Sequence, residues 1–134
     1  MKNKVIDYVT PIEVCQIIRI SINSTPQITR WIKDGRIQNV IQFGKSNAIP
    51  ISWVKSECQA RGINWNGVEL KENEVGVSLK DYTPLNQIEK KYNVQNLAVR
   101  IKRGQIDLEN VIQFGNNWGI ESNKIEESIK KWRI

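Results

Sequence analysis

Apolar positions recur along this chain in two rhythms. Spaced three and four apart they predict short helices, and in β-branched runs between turn residues they predict strands. Thr10-Pro11-Ile12-Glu13 has the form of a helix start. Thr can cap the free amides, and Pro is tolerated at the first helical position because its missing N–H has no partner there. Ile12, Cys15, Ile18 and Ile17 then form an apolar stripe, which should end within Ile20-Ser21-Ile22-Asn23-Ser24. Thr25-Pro26 repeats the start signal. A second helix is expected from Pro26 to Asp34, stopped by Gly35 as a left-handed C-cap. Ile28, Trp31 and Ile32 would face inward, leaving Gln27, Arg30 and Lys33 together outside. Extended runs Ile37–Phe43 and Asn47–Ile49 flank a turn, Gly44-Lys45-Ser46-Asn47, and predict a β-hairpin with a basic tip. Pro50-Ile51-Ser52 opens a third helix, about Ser52 to Arg61, with Ile51, Val54 and Cys58 inward and Gly62 as its stop.

The pattern then repeats. Val40-Ile41-Gln42-Phe43-Gly44 recurs as Val111-Ile112-Gln113-Phe114-Gly115. Upstream, Asp34-Gly35-Arg36-Ile37 matches Arg103-Gly104-Gln105-Ile106, and Tyr8-Val9-Thr10-Pro11-Ile12 matches Tyr82-Thr83-Pro84-Leu85. Downstream, Asn47-Ala48-Ile49 matches Trp118-Gly119-Ile120. Such self-similarity predicts two copies of one small unit. In the second copy Thr83-Pro84 would start a helix with Leu85, Ile88 and Tyr92 inward. A second helix would run from about Asn96 to Arg103 and stop at Gly104, with Leu97 and Ile101 inward and Val94 in the preceding turn. A hairpin is expected over Ile106–Ile120 with Asn116-Asn117 at its tip. A last helix, about Ser122 to Trp132, would turn Ile125, Ile129 and Trp132 to one face.

The fold class expected is α+β, mainly α. Unit 1 covers 1–62, a partly structured connector 63–80, and unit 2 81–134. The connector holds an Asn66-Gly67 turn signal and an extended stretch, Val75–Leu79. Trp65, Val68, Leu70 and Leu79 are too apolar for a free linker and should pack on the units.

Composition adds a partner class and removes several chemistries. The net charge is +6, which suits a polyanion. Residues 1–62 carry nine basic and four acidic side chains, residues 63–80 two and three, and residues 81–134 nine and seven, so unit 1 is the more basic. Glu69, Glu72 and Glu74 make the connector locally acidic, away from any polyanion. With two cysteines and no histidine there is no zinc pattern and no His-based triad, and no Gly-rich phosphate loop occurs. No cofactor, metal or catalysis is expected. No signal peptide or membrane span is read, which points to a reducing cytoplasm. Trp53 and Trp132 are expected to pack between helix and sheet rather than stack on bases.

Between the copies the inward positions keep their chemistry, Ile28 becoming Leu97 and Ile32 becoming Ile101. Outward positions are rewritten: Gln27 to Asn96, Arg30 to Val99, Trp31 to Arg100 and Asp34 to Arg103. Taken alone, two helices with a polar outer face fit a helix-turn-helix or a helical hairpin with a solvated face. The hairpin that follows tips the balance.

Thr10-Pro11, the run Arg30-Trp31-Ile32-Lys33-Asp34-Gly35-Arg36-Ile37, then Phe43-Gly44 and Ile49-Pro50 resemble the excisionase-like branch of the MerR-type winged helix-turn-helix family. The turn between the helices is about one residue longer than that pattern. The resemblance implies double-stranded DNA binding, with the second helix in the major groove and the hairpin, or wing, at the minor groove or backbone. It also implies a role as a recombination factor or as a transcriptional regulator of a mobile element. Gln and Arg have the donors and acceptors that read A and G edges, whereas Lys mostly positions on phosphate. The candidate contacts in unit 1 are Thr25, Gln27, Arg30, Lys33, Arg36, Lys45 and Asn47. Those in unit 2 are Gln95, Asn96, Arg100, Lys102, Arg103, Asn116 and Asn117. The chain is expected to act as a monomer or weak dimer, with a recombinase or other protein as a further partner of unit 2. The alternative is a protein-interaction module that inhibits or bridges another protein.

Overall fold

The computed structural model describes residues 3–132, the side chains of residues 131 and 132 excepted. It is a mixed α and β structure with six α-helices and three small sheets among the described residues. Strands are β1 (Asn3–Val5), β2 (Tyr8–Val9), β3 (Ile41–Phe43), β4 (Ser46–Pro50), β5 (Val75–Val77), β6 (Tyr82–Pro84), β7 (Val111–Phe114) and β8 (Asn117–Glu121). Helices are α1 (Pro11–Ile17), α2 (Thr25–Lys33), α3 (Ile51–Ala60), α4 (Leu85–Tyr92), α5 (Leu97–Lys102) and α6 (Ile125–Trp132).

The order strand, helix, helix, hairpin, helix occurs twice, with equal sheet topology. One antiparallel sheet runs β2-β4-β3 and the other β6-β8-β7. The registers coincide. Ile41 faces Ala48 and Phe43 faces Ser46, while Ile112 faces Gly119 and Phe114 faces Asn117. Tyr8 faces Pro50 as Tyr82 faces Glu121. Each copy fills its own core. Val14, Cys15, Ile18, Ile28, Val54 and Cys58 lie at the centre of the first, and Ile88, Leu97, Ile101, Ile120, Ile125 and Ile129 at that of the second.

A third core joins the copies. Val5, Tyr8, Phe43 and Ala48 pack with Leu79, Tyr82, Ile112 and Phe114. The rings of Phe43 and Phe114 meet edge to face with centroids 6.0 Å apart. Beside this core β1 pairs with β5 in parallel, so the chain start is tied to the connector. Asp7 reinforces the tie: its carboxylate accepts from Leu79 N at 3.0 Å and from Ser78 Oγ at 2.6 Å.

Local chemistry explains most boundaries. Thr10 and Glu13 form a reciprocal capping box, Glu13 N donating to Thr10 Oγ1 at 3.2 Å and Thr10 N to Glu13 Oε1 at 3.1 Å. Gly35, Gly62 and Gly104 follow α2, α3 and α5 with positive φ, as expected. Both hairpins turn on two residues, Gly44-Lys45 and Gly115-Asn116, with φ of 63° and 60° at the glycines. A two-residue hairpin loop with positive φ at its first position wants Gly there.

Several expectations are corrected. The hairpins are tighter than predicted: Ile37 to Val40 lie outside strand β3, and Ser46 and Asn117 belong to strands rather than turns, while Asn47 lies in β4 as its extended run predicts. Thr83-Pro84 does not start α4. Both residues belong to β6, because Thr83 pairs with Ile120, and Pro84 sits at the N-cap. Ile12 is 54% exposed; Val14 takes the inward place, with Cys15 and Ile18. Leu70 is exposed, whereas Trp65 and Val68 pack on the first core and Leu79 is fully buried in the shared one. The Trp132 side chain lies outside those described.

The copies differ most between their first two helices. Ile20 N donates to Cys15 O, and Val94 N to Glu89 O, so the two copies leave their first helices alike. Seven residues separate Ile20 from buried Ile28, but only two separate Val94 from buried Leu97. The surplus makes a 3₁₀ turn at Ile22–Ser24 and an extra first turn of α2. α5 lacks that turn. Glu89 Oε2 accepts from Leu97 N at 3.2 Å and replaces a side-chain N-cap.

Candidate nucleic-acid interface

α2 presents its polar side as expected. Gln27, Arg30 and Lys33 are exposed, while Ile28 is buried beneath them and Trp31 and Ile32 are half-buried. Thr25 begins the helix and is half-buried, and its carbonyl accepts from Thr29 Oγ1 at 3.4 Å. On α5 the corresponding side is shorter. Val99 is 43% exposed, Lys102 and Arg103 are exposed, and Arg100 is half-buried with Nη1 3.3 Å from Gln105 Oε1. Gln95 and Asn96 are exposed in the loop before α5, Asn96 with φ of 62°. Asn96 is therefore a loop residue rather than a helical counterpart of Gln27.

Arg36 has structural partners. Its Nη2 bonds Glu57 Oε1 at 2.8 Å, and its guanidinium stacks 4.2 Å from the centroid of the Trp31 ring. Its carbonyl accepts from Trp53 Nε1 at 3.1 Å, and Trp31 and Trp53 are themselves neighbours at 6.3 Å. Glu57 also holds Arg61 at 3.0 Å. This cluster fixes the C-terminal end of α2 against α3.

The hairpin turns come together. Asn117 Nδ2 donates to Ser46 Oγ at 2.7 Å, and Lys45 N donates to Asn117 Oδ1 at 3.4 Å. Gly44 lies against the Asn117 side chain, and Gly115 lies against that of Ser46. Gly44 and Gly115 hold equal positions in the two hairpins, as do Ser46 and Asn117. The contacts are thus reciprocal, as they are across a two-fold axis. Side chains at Gly44 would collide with Asn117, so this close approach needs glycine for space as well as for its φ.

Two grooves flank the joined turns. One is lined by Ile12, Pro26 and Thr29 with Lys45, Asn47 and, from the other unit, Asn116. The second is lined by Asn86, Ala98, Lys102, Asn116 and Trp118 with, from the other unit, Lys45. Lys45 and Asn116 border both grooves, so α2, the two turns and α5 lie on one continuous surface. Lys45 and Asn116 are exposed. Asn47 is half-buried and accepts from Gln42 Nε2 at 2.6 Å. Asn117 is turned to the neighbouring hairpin and spends its polar atoms there. The acidic connector residues are absent from both grooves.

The sequence reading missed Ile12, Pro26 and Thr29 as groove residues. The spacing of Val14, Ile17 and Ile18, three and four apart, is the signal that would have put Ile12 on the outer side of α1.

No cluster of three His, Cys, Asp or Glu able to hold a metal ion occurs among the described residues. Burial pushes the Cys15 and Cys58 thiols above their ordinary pKa. No described helix is long and apolar enough to cross a membrane. Comparison with protein-family models, curated proteins and solved structures returns no match to this chain.

Proposed function

We propose that this chain is a non-enzymatic, sequence-preferring protein that binds double-stranded DNA with two winged helix-turn-helix units. The observation that carries the reading is the common surface of α2, α5 and the two hairpin turns, lined by Lys45 and Lys102, with Arg30 and Lys33 exposed on α2 and Arg103 exposed just beyond α5. In this reading α2 lies in the major groove, Gln27 and Arg30 reach base edges, and Lys33 and Lys45 rest on phosphates. The resemblance of the first unit to excisionase-like proteins suggests recombination or transcriptional control in a mobile element as the setting.

The test is an electrophoretic shift of the full chain on duplexes from around its own gene at two salt concentrations. Binding that weakens with salt and is weaker still in Arg30→Ala/Lys33→Ala supports the reading. Unchanged binding in that variant rules the surface out.

A second reading rests on Val99, exposed where the first copy has Arg30. It makes α5 a contact for a protein partner such as a recombinase. A Val99→Asp variant that binds DNA normally but loses that partner would favour it.

A further inference from the structure

We propose that the two units read one duplex as an inverted pair of unequal half-sites, with both hairpin turns over the single minor groove between them, at a spacing fixed by the shared core. The inference rests on the DNA reading above and specifies the form of the site. Its first support is reciprocity. Gly44 meets Asn117 while Gly115 meets Ser46, so the units face each other about a two-fold axis rather than following head to tail. Units related in that way approach the two strands of a duplex equivalently, and their half-sites run in opposite directions.

The second support is position. Lys45 and Asn116 each border both grooves, so the turns are central and α2 and α5 are outboard. When two outer helices enter successive major grooves on one side of a duplex, the groove between them is minor, and the turns lie over it. The third support is rigidity. Phe43, Leu79, Ile112 and Phe114 are buried between the units, and β1 is hydrogen-bonded to β5. A flexible tether would let half-site spacing vary, whereas this joint does not.

The fourth observation sets the inequality. The extra turn of α2, Thr25 to Gln27, has no helical counterpart in α5, and Arg30 is matched by Val99. Lys33 and Lys102, by contrast, hold equivalent places one turn beyond Thr29 and Ala98. The paired lysines give both half-sites equal phosphate contacts, and base reading is concentrated on the α2 side. At the centre Lys45 faces one strand and Asn116 the other.

The experiment is selection of the full chain on randomised duplexes, followed by footprinting and affinity measurement on variants of the selected site. The expected result is protection mirrored about a central minor groove, with two dissimilar half-sites about 10 bp apart. Inserting 5 bp at the centre should lower affinity by about a hundredfold, to the level of one half-site. Inosine·C at the centre should bind like A·T and better than G·C, because only G·C adds an amino group in the minor groove. Protection that is translated rather than mirrored, tolerance of the insertion, or inosine·C behaving like G·C overturns this inference and leaves DNA binding standing. Failure to select any duplex, with no salt-dependent retention, overturns the DNA reading itself.

Discussion

Ser46 and Asn117 hold the same position in the two hairpins, and their side chains bond to each other, Asn117 Nδ2 donating to Ser46 Oγ at 2.7 Å. That one contact shows that the copies are joined through equivalent surfaces. It also explains why the tips of the hairpins lie side by side. Asn117→Ala should loosen the joint by about 1 kcal/mol, the ordinary net value of a hydrogen bond. Chemical denaturation would measure it, and a double-mutant cycle with Ser46→Ala should show coupling between the two.

Removing a ring from the shared core should cost far more. Phe43→Ala is expected to destabilise the whole chain by about 3–5 kcal/mol. Because Phe43 belongs to the core common to both copies, unfolding should stay a single transition in the parent. Two separate transitions in the parent, followed by fluorescence and circular dichroism, would contradict that.

Arg30→Ala and Lys33→Ala should leave stability nearly unchanged, since both side chains are exposed. If α2 reads DNA, loss of Arg30 should cost roughly 1–3 kcal/mol and relax sequence preference. Loss of Lys33 should weaken all sequences alike and reduce the salt slope by about one. Titrations at several salt concentrations distinguish the two behaviours.

Arg36→Ala should act differently from its neighbours on the same helix end. The side chain bridges Glu57 and the Trp31 ring, so stability should fall by about 1 kcal/mol, and tryptophan emission should shift. A binding defect with unchanged stability and emission would reassign Arg36 to the nucleic acid.

The cysteines give a pH test. Burial raises both thiol pKa values, so the folded chain holds these protons more tightly than the unfolded one. Stability should be greatest below the ordinary thiol pKa and fall as pH rises from there toward the folded value. Cys15→Ala/Cys58→Ala should flatten that fall in denaturation curves taken across alkaline pH. Both thiols should also resist a disulfide reagent until the chain unfolds.

Much of this architecture was legible in the residues. Pro11, Gly35, Gly62 and Gly104 marked helix ends that the structure keeps within a residue or two, because capping is local chemistry. The repeated pentapeptide located both first hairpin strands for the same reason. What was not legible came from pairing at a distance. Thr83-Pro84 looks like Thr10-Pro11, yet strand β8 claims it. Asn117 looks like a turn residue, yet Ser46 of the other hairpin claims its side chain. The shortened α5 was hidden because Asn96 aligns with Gln27 in sequence while Glu89, on α4 and eight residues before Leu97, supplies the cap. For the candidate contacts, residues on helix surfaces were placed well. Arg36 and Asn117 have partners that only the folded chain reveals.

The close fit around Gly119 has one more consequence. A side chain there would collide with the Phe43 ring, and the first copy carries Ala48 at the same place. Two first copies brought together would set an alanine methyl against each such ring. A self-associating protein must offer every residue twice, once to each side of its axis. Covalent linkage lifts that obligation, so serine can stand opposite asparagine and one ring can lean into a space its counterpart lacks. The chain is thereby keyed to its own other half and poorly matched to a stranger's first half, which favours closure within one molecule over exchange between molecules.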